Sequence, residues 1–205
     1  MKLQLSTVLI ALLTPAVSLA QVPANHSLSR AEIRAFAASC ARKVHADTIE
    51  AIAKQESGFY PFALSINYPK TEAKNMGYTH AEYQLARQPK SKHEGIAWMR
   101  WFLAHGHSVS IGLMQVSTEQ AKQLGIPDPA ALFDPCFNIA AGAVVLQDSY
   151  RGQAPTLAGL ANAFALYNAG SLTLGRENGY ASGVIQKAPP LITIPDPAAS
   201  PLHTR

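Results

Sequence analysis

An α+β fold, mainly α with a small antiparallel β element, is what the sequence predicts, and three observations predict it. Six segments start at a helix-capping residue and continue with apolar residues at helical spacing. Only two short stretches alternate with a period of two. The 205 residues, 48% apolar and 15% charged, suffice for one buried core and lie far from the composition of a disordered chain. One domain, residues 21–187, is expected.

The first 20 residues stand apart from it. Met1-Lys2-Leu3 makes a short n-region, Val8 to Leu13 an apolar h-region, and Ser18-Leu19-Ala20 places small residues where cleavage is read, the pattern of a secretory signal peptide. The alternative, a membrane anchor, is disfavoured because Thr14, Pro15 and Ser18 break the apolar run before the roughly 20 residues that span a bilayer. Cleavage leaves 16 Lys/Arg against 13 Asp/Glu, a net +3, and no later stretch long enough to span.

Ser29-Arg30-Ala31-Glu32 reads as a capping box opening a helix to about Lys43, with Ile33, Phe36, Ala37 and Cys40 on one stripe. A second helix is expected from an N-cap at Asp47 to about Ser57, stopped by Gly58 and Pro61. Its stripe is Ile49, Ile52, Ala53 and Glu56, with Asp47 and Glu50 directed elsewhere. Residues 63–68 and Tyr83 to Arg87 are the two candidate strands. Ser91 caps a helix from Lys92 to Ala104 whose Ile96, Met99, Trp101, Phe102 and Leu103 form a broad apolar surface, ended by His105-Gly106-His107.

A helix from Ser117 to Leu124 is broken by Gly125, Pro127 and Pro129, and Asp134-Pro135 begins the next, with Ile139, Ala143 and Leu146 inward. Thr156 caps a helix from Leu157 to about Tyr167, apolar enough all round to be central and ended by Ala169-Gly170. A last short helix is expected from Tyr180 to Lys187. Pro189, Pro190, Pro195, Pro197 and Pro201 then block regular structure, so residues 188–205 read as an extended or disordered tail.

Glu56 is the sharpest chemical candidate. A carboxylate on an apolar stripe is desolvated, which pushes its pKa toward about 6 to 7 and suits a general acid; the alternative is a Glu at a frayed helix end. Two-carboxylate glycosidases need a partner, and Glu72, Glu119 and Asp134 are the candidates, none in a comparably apolar run. His105 and His107 lack a third ligand, so no metal site is expected. No phosphate loop, nucleophile elbow or basic-aromatic platform is present, which removes nucleotide, Ser-hydrolase and nucleic-acid readings.

Between Lys70 and His107, six Lys/Arg against three Glu carry the whole mature excess of +3, either a solvated face of mixed sign or a surface for an anionic partner. Cys40 and Cys136 form an even pair in an exported chain and read as one disulfide, the alternative being two buried free thiols. Closing a loop of roughly 100 residues would stabilise the fold by about 4 to 5 kcal/mol in the chain-entropy model.

Four ordered motifs then stand out: Gln55-Glu56-Ser57-Gly58 running on to Ser65, Gly112-Leu113-Met114-Gln115-Val116, Phe133-Asp134-Pro135-Cys136-Phe137-Asn138 running on to Gly142, and Leu166-Tyr167-Asn168-Ala169-Gly170. Over roughly residues 30–185 the chain resembles the soluble lytic transglycosylase domain, related to goose-type lysozyme. The stretch from Gln84 to Gln115 looks most like the VirB1-type branch attached to type IV secretion and conjugation systems. Leu166 departs from the small residue that often precedes Tyr-Asn, and about 67–108 reads as an insertion in a lysozyme-like domain.

The resemblance implies a monomeric periplasmic enzyme that needs no cofactor or metal and acts on peptidoglycan glycan strands, beside secretion apparatus proteins. Glu56 would be its single acid/base, cleaving between N-acetylmuramic acid and N-acetylglucosamine to leave a 1,6-anhydromuramoyl end. The substrate's acetamido group would stand in for the missing second carboxylate. Ser65 would bond near that group, Met114 and Gln115 would line the glycan groove, and Tyr167 and Asn168 would lie beside Glu56. A hydrolytic muramidase and a non-catalytic wall-binding assembly factor are the rival readings.

Overall fold

The computed structural model describes residues 26–68 and 82–187. The signal-peptide region and the proline-rich tail lie outside these residues, as does Glu72.

The capping box forms as expected. Ser29 Oγ accepts from the Glu32 N–H at 3.2 Å while the Glu32 carboxylate accepts from the Ser29 N–H at 2.7 Å, opening α1 (Arg30–Cys40). The helix stops three residues short of Lys43. In α2 (Ala46–Ser57) the N-cap is His45, whose ring accepts from the Asp47 N–H, and not Asp47 itself.

Asp47 and Glu50 are instead buried on the side of α2 that faces α1. Arg34 pairs with both carboxylates, and Arg30 Nε sits 2.8 Å from Glu50 Oε1 without aiming its N–H at it. A helical carboxylate can lie inside when its charge is matched, a possibility that apolar periodicity alone does not register.

The β element is a four-stranded antiparallel sheet in the order β2-β1-β3-β4, built from β1 (Leu64–Asn67), β2 (Glu82–Gln84), β3 (Ser108–Ile111) and β4 (Val116–Ser117). The second strand lies one residue before its expected place and ends at Gln84. Period-2 alternation splits the sheet into two chemical faces. Leu64, Ile66, Val109, Ile111 and Val116 are buried, whereas Ser65, Asn67, Ser108, Ser110 and Ser117 stay partly open on the other side. The register sets Ser65 opposite Ser110, Asn67 opposite Ser108, and Ser110 opposite Ser117, so the hydroxyls and amide share one face.

Between the strands runs α3 (Lys92–Ala104), capped by Ser91 as expected. Its apolar surface divides: Met99 is buried, while Trp101 and Leu103 face outward. His105 stacks on Trp101 with ring centroids 3.9 Å apart, and His107 packs on Tyr68 and Phe102, so the two rings serve different contacts. Then come α4 (Thr118–Gln123), a 3-10 turn (Pro129–Phe133), α5 (Pro135–Tyr150), α6 (Leu157–Ala169), α7 (Leu172–Glu177) and α8 (Tyr180–Lys187). Of these, α7, the 3-10 turn and strands β3 and β4 carry no expectation from sequence.

Helix α6 is central, packed by α5, α7 and α8, and α8 also reaches α2. The core gathers Ile33, Ile49, Ile52, Leu64, Met99, Ile111, Leu132, Phe133, Ile139, Phe164 and Val184 from both layers. The cysteines are joined, Cys40 to Cys136, tying α1 to α5 across 96 residues.

Candidate active site

Glu56 stands one residue before the end of α2, where Gly58 at φ +60° closes the helix. It is half-buried, and the Tyr180 hydroxyl, from the first residue of α8, donates to its Oε1. Ser57 Oγ lies 3.0 Å from the carbonyls of both Ala53 and Leu113, which ties this helix end to the loop between β3 and β4.

That loop is held from below by Asn138, in the first turn of α5 and 1% exposed. Its amide donates to the carbonyls of Ile111 and Leu132 at 2.8 and 2.9 Å, and its Oδ1 accepts from the Met114 N–H at 2.8 Å. Gly112 sits directly above: at φ +78°, a Cβ there would meet Asn138 Nδ2 at 2.4 Å, so only glycine fits. Gln115, a non-glycine residue at φ +46°, is turned back so that its Nε2 donates to the Gly112 carbonyl at 2.9 Å and its Oε1 accepts from Ser65 Oγ at 2.8 Å. Backbone in this sparsely occupied region persists where its surroundings hold it, as these bonds do here.

The Tyr167 hydroxyl donates to the Met114 carbonyl at 2.6 Å. Burial, with the nearby Glu56 charge adding to it, pushes this phenol well above its usual value, so it stays neutral and serves as a donor. Next to it, Asn168 Oδ1 accepts from Asn178 Nδ2 at 2.7 Å, and Asn178 Oδ1 accepts from the Tyr180 N–H at 2.9 Å. This relay fixes the start of α8, and with it Tyr180, against the end of α6.

The polar face of the sheet and the ends of α2 and α6 enclose a cleft of about 250 Å³. Glu56, Ser65, Gln115, Tyr167 and Asn168 line it together with Asn67, Ser110, Ser117, Glu119 and Gln120. Walls of hydroxyls and amides around a half-buried carboxylate suit a ligand rich in hydroxyls, such as a sugar chain. Among the described residues, no three His, Cys, Asp or Glu side chains converge as metal ligands.

Residues 34–188 match the transglycosylase SLT domain family. This chain belongs to that family. Among its relatives are the type IV secretion system protein virB1 of Brucella suis biovar 1, 33% identical over 145 residues that make up 68% of this chain and 55% of the relative, and protein virB1 of Agrobacterium fabrum, 33% identical over 175 residues that make up 82% and 65%. The chain thus spans little more than half the length of the Brucella relatives it matches. No solved structure matches it significantly.

Within this SLT domain, five of the six residues singled out as site residues besides the cysteines meet at one cleft. Met114 does not line it: its side chain is fully buried against Gly142, where an added Cβ would come within 2.5 Å, and it reaches the site only through its backbone. Glu119, set aside in sequence for lack of an apolar run, does line the cleft, and Ser108 Oγ donates to its carboxylate. Asp134 is an N-cap, accepting from the Phe137 N–H at 2.9 Å. Tyr180 is the residue that sequence reasoning missed; one tyrosine opening a short helix carries no local signal of its task.

Proposed function

We propose that this SLT-family chain is a peptidoglycan lytic transglycosylase with Glu56 as its single acid/base. Protonated Glu56 donates to the glycosidic oxygen between N-acetylmuramic acid and N-acetylglucosamine, and the C1–O bond breaks. The Glu56 carboxylate then takes the proton from the same muramic residue's 6-hydroxyl, whose oxygen closes on C1. The product is a 1,6-anhydromuramoyl end, no water is consumed, and Glu56 returns to its starting form. The 2-acetamido group steadies the cationic centre between the two steps.

The observation that carries this reading is the placement of Glu56. It is half-buried in a polar cleft, with a hydroxyl donor on one oxygen and a buried neutral phenol close by. The printed names of the relatives support a setting beside a type IV secretion apparatus. On this reading residues 1–20 export the chain to the periplasm, and its task is local opening of the wall.

Glu119 on the same cleft favours one second reading, hydrolysis with this carboxylate activating a water. Mass spectrometry of digested sacculi separates the two: anhydro ends are one water lighter than reducing ends, and reducing ends alone would exclude the transglycosylase mechanism. Replacing Glu56 by Gln is expected to abolish sacculus clearing while leaving glycan binding in place. Equal clearing by variant and unaltered protein would remove Glu56 from the catalytic role.

A further inference from the structure

On the far side of Ser65 lies a second recess, about 470 Å³, lined by Ser57, Tyr60, Ser65, Arg87, Gln88 and Lys90. Ser65 lines both spaces, so the recess adjoins the catalytic cleft across a single side chain. Its outer wall is the segment between β2 and α3, which is built into the fold by several separate contacts. Gln88 bonds β1 in both directions, accepting from the Leu64 N–H at 2.7 Å and donating to the Leu64 carbonyl at 3.2 Å. The Tyr60 hydroxyl donates to the Pro89 carbonyl, and the Lys90 N–H donates to Glu94 at 2.6 Å.

The charges here do not cancel. Arg87 grips Glu94 with two bonds of 2.6 and 3.2 Å while lying 4.6 Å over the Trp98 ring, so one cation is already matched. Lys90 is exposed, and its ammonium has no ion-pair partner among the described residues. A preformed recess carrying one surplus positive charge is matched by a carboxylate ligand.

We propose that this recess is a subsite for the peptide attached to muramic acid, with Lys90 taking one of its carboxylates. The inference rests on the peptidoglycan reading above. That peptide is joined to the sugar ring through a lactyl ether, so it leaves the cleft beside the sugar that bears it. An opening adjacent to the cleft at Ser65 with a cation at its rim is the chemistry that recognises it. The enzyme would then prefer strands that carry peptides over bare glycan.

The test is binding of soluble, uncrosslinked glycan strands of matched length, with their peptides and after amidase has removed them, to full chain carrying Glu56→Gln. Peptide-bearing strands are expected to bind about fivefold more tightly at low salt, with the preference shrinking as salt rises. Adding Lys90→Glu, a surface change that spares the core, should bring the preference to about one. No preference in the parent, or the same preference with Lys90→Glu, overturns the subsite. So does competition by soluble polyglutamate that is equally strong against both strand types and lost with Lys90→Glu, which would assign the cation to an acidic protein. Catalysis is read separately: failure of the Glu56-intact protein to clear sacculi would count against the catalytic role alone.

Discussion

Tyr180 places a hydroxyl on Glu56 from a helix more than a hundred residues away in the chain, and Asn178 and Asn168 hold that tyrosine in place. Removing the hydroxyl with Tyr180→Phe takes away one charge-assisted hydrogen bond, so kcat on sacculi is expected to fall by about ten- to a hundredfold with the ring packing kept. A thermal melt should separate this from unfolding, since Tm is expected to move by only a few degrees. Glu56 itself was legible in the sequence because a carboxylate breaks an apolar stripe. Tyr180 was not, because an aromatic at that position satisfies the core pattern equally well. Glu119 was a candidate set aside for a related reason: its place at the cleft comes from the sheet edge it meets in space, and its own neighbours in the chain form no apolar run.

At the scale of elements, the loop between β3 and β4 depends on one side chain. Asn138→Ala would remove three buried hydrogen bonds to the backbone of Ile111, Met114 and Leu132, and is expected to cost about 3 kcal/mol, measurable by urea unfolding. Activity should drop with it, because Gln115 and the Met114 carbonyl ride on that loop.

The segment entering α3 makes a prediction in pH. Arg87, and after it the Lys90 N–H, holds the Glu94 carboxyl down to about 2 from an ordinary 4.5. A depressed carboxylate stabilises the fold above its unfolded pKa and loses that contribution as pH falls toward the folded one. Unfolding midpoints of the parent and of Glu94→Gln should therefore differ above about pH 4.5 and converge by about pH 2.

Helices with capping residues were legible from sequence because cap and stripe are local features: Ser29, Ser91, Ser117, Asp134 and Thr156 each cap the helix they announced. The four-residue β3, the two-residue β4 and the six-residue α7 were not, since elements this short are stabilised by partners distant in the chain.

Over the whole molecule, Cys40 and Cys136 join α1, which packs on the helix carrying Glu56, to α5, which carries Asn138. Replacing both cysteines by serine is expected to lower stability by about 4 kcal/mol in the chain-entropy model, and urea unfolding of the parent under reducing conditions should show the same loss. By itself the sequence determined the capped helices and the SLT-family motifs, both written in local spacing or ordered motifs, and it singled out Glu56 and favoured one disulfide over two free thiols. Only the tertiary structure decided which polar residues share a face. The pleat register that puts Ser65, Asn67, Ser110 and Ser117 on one side, the return of α8 onto α2, and the burial of Met114 are relations between segments that single-chain periodicity does not encode.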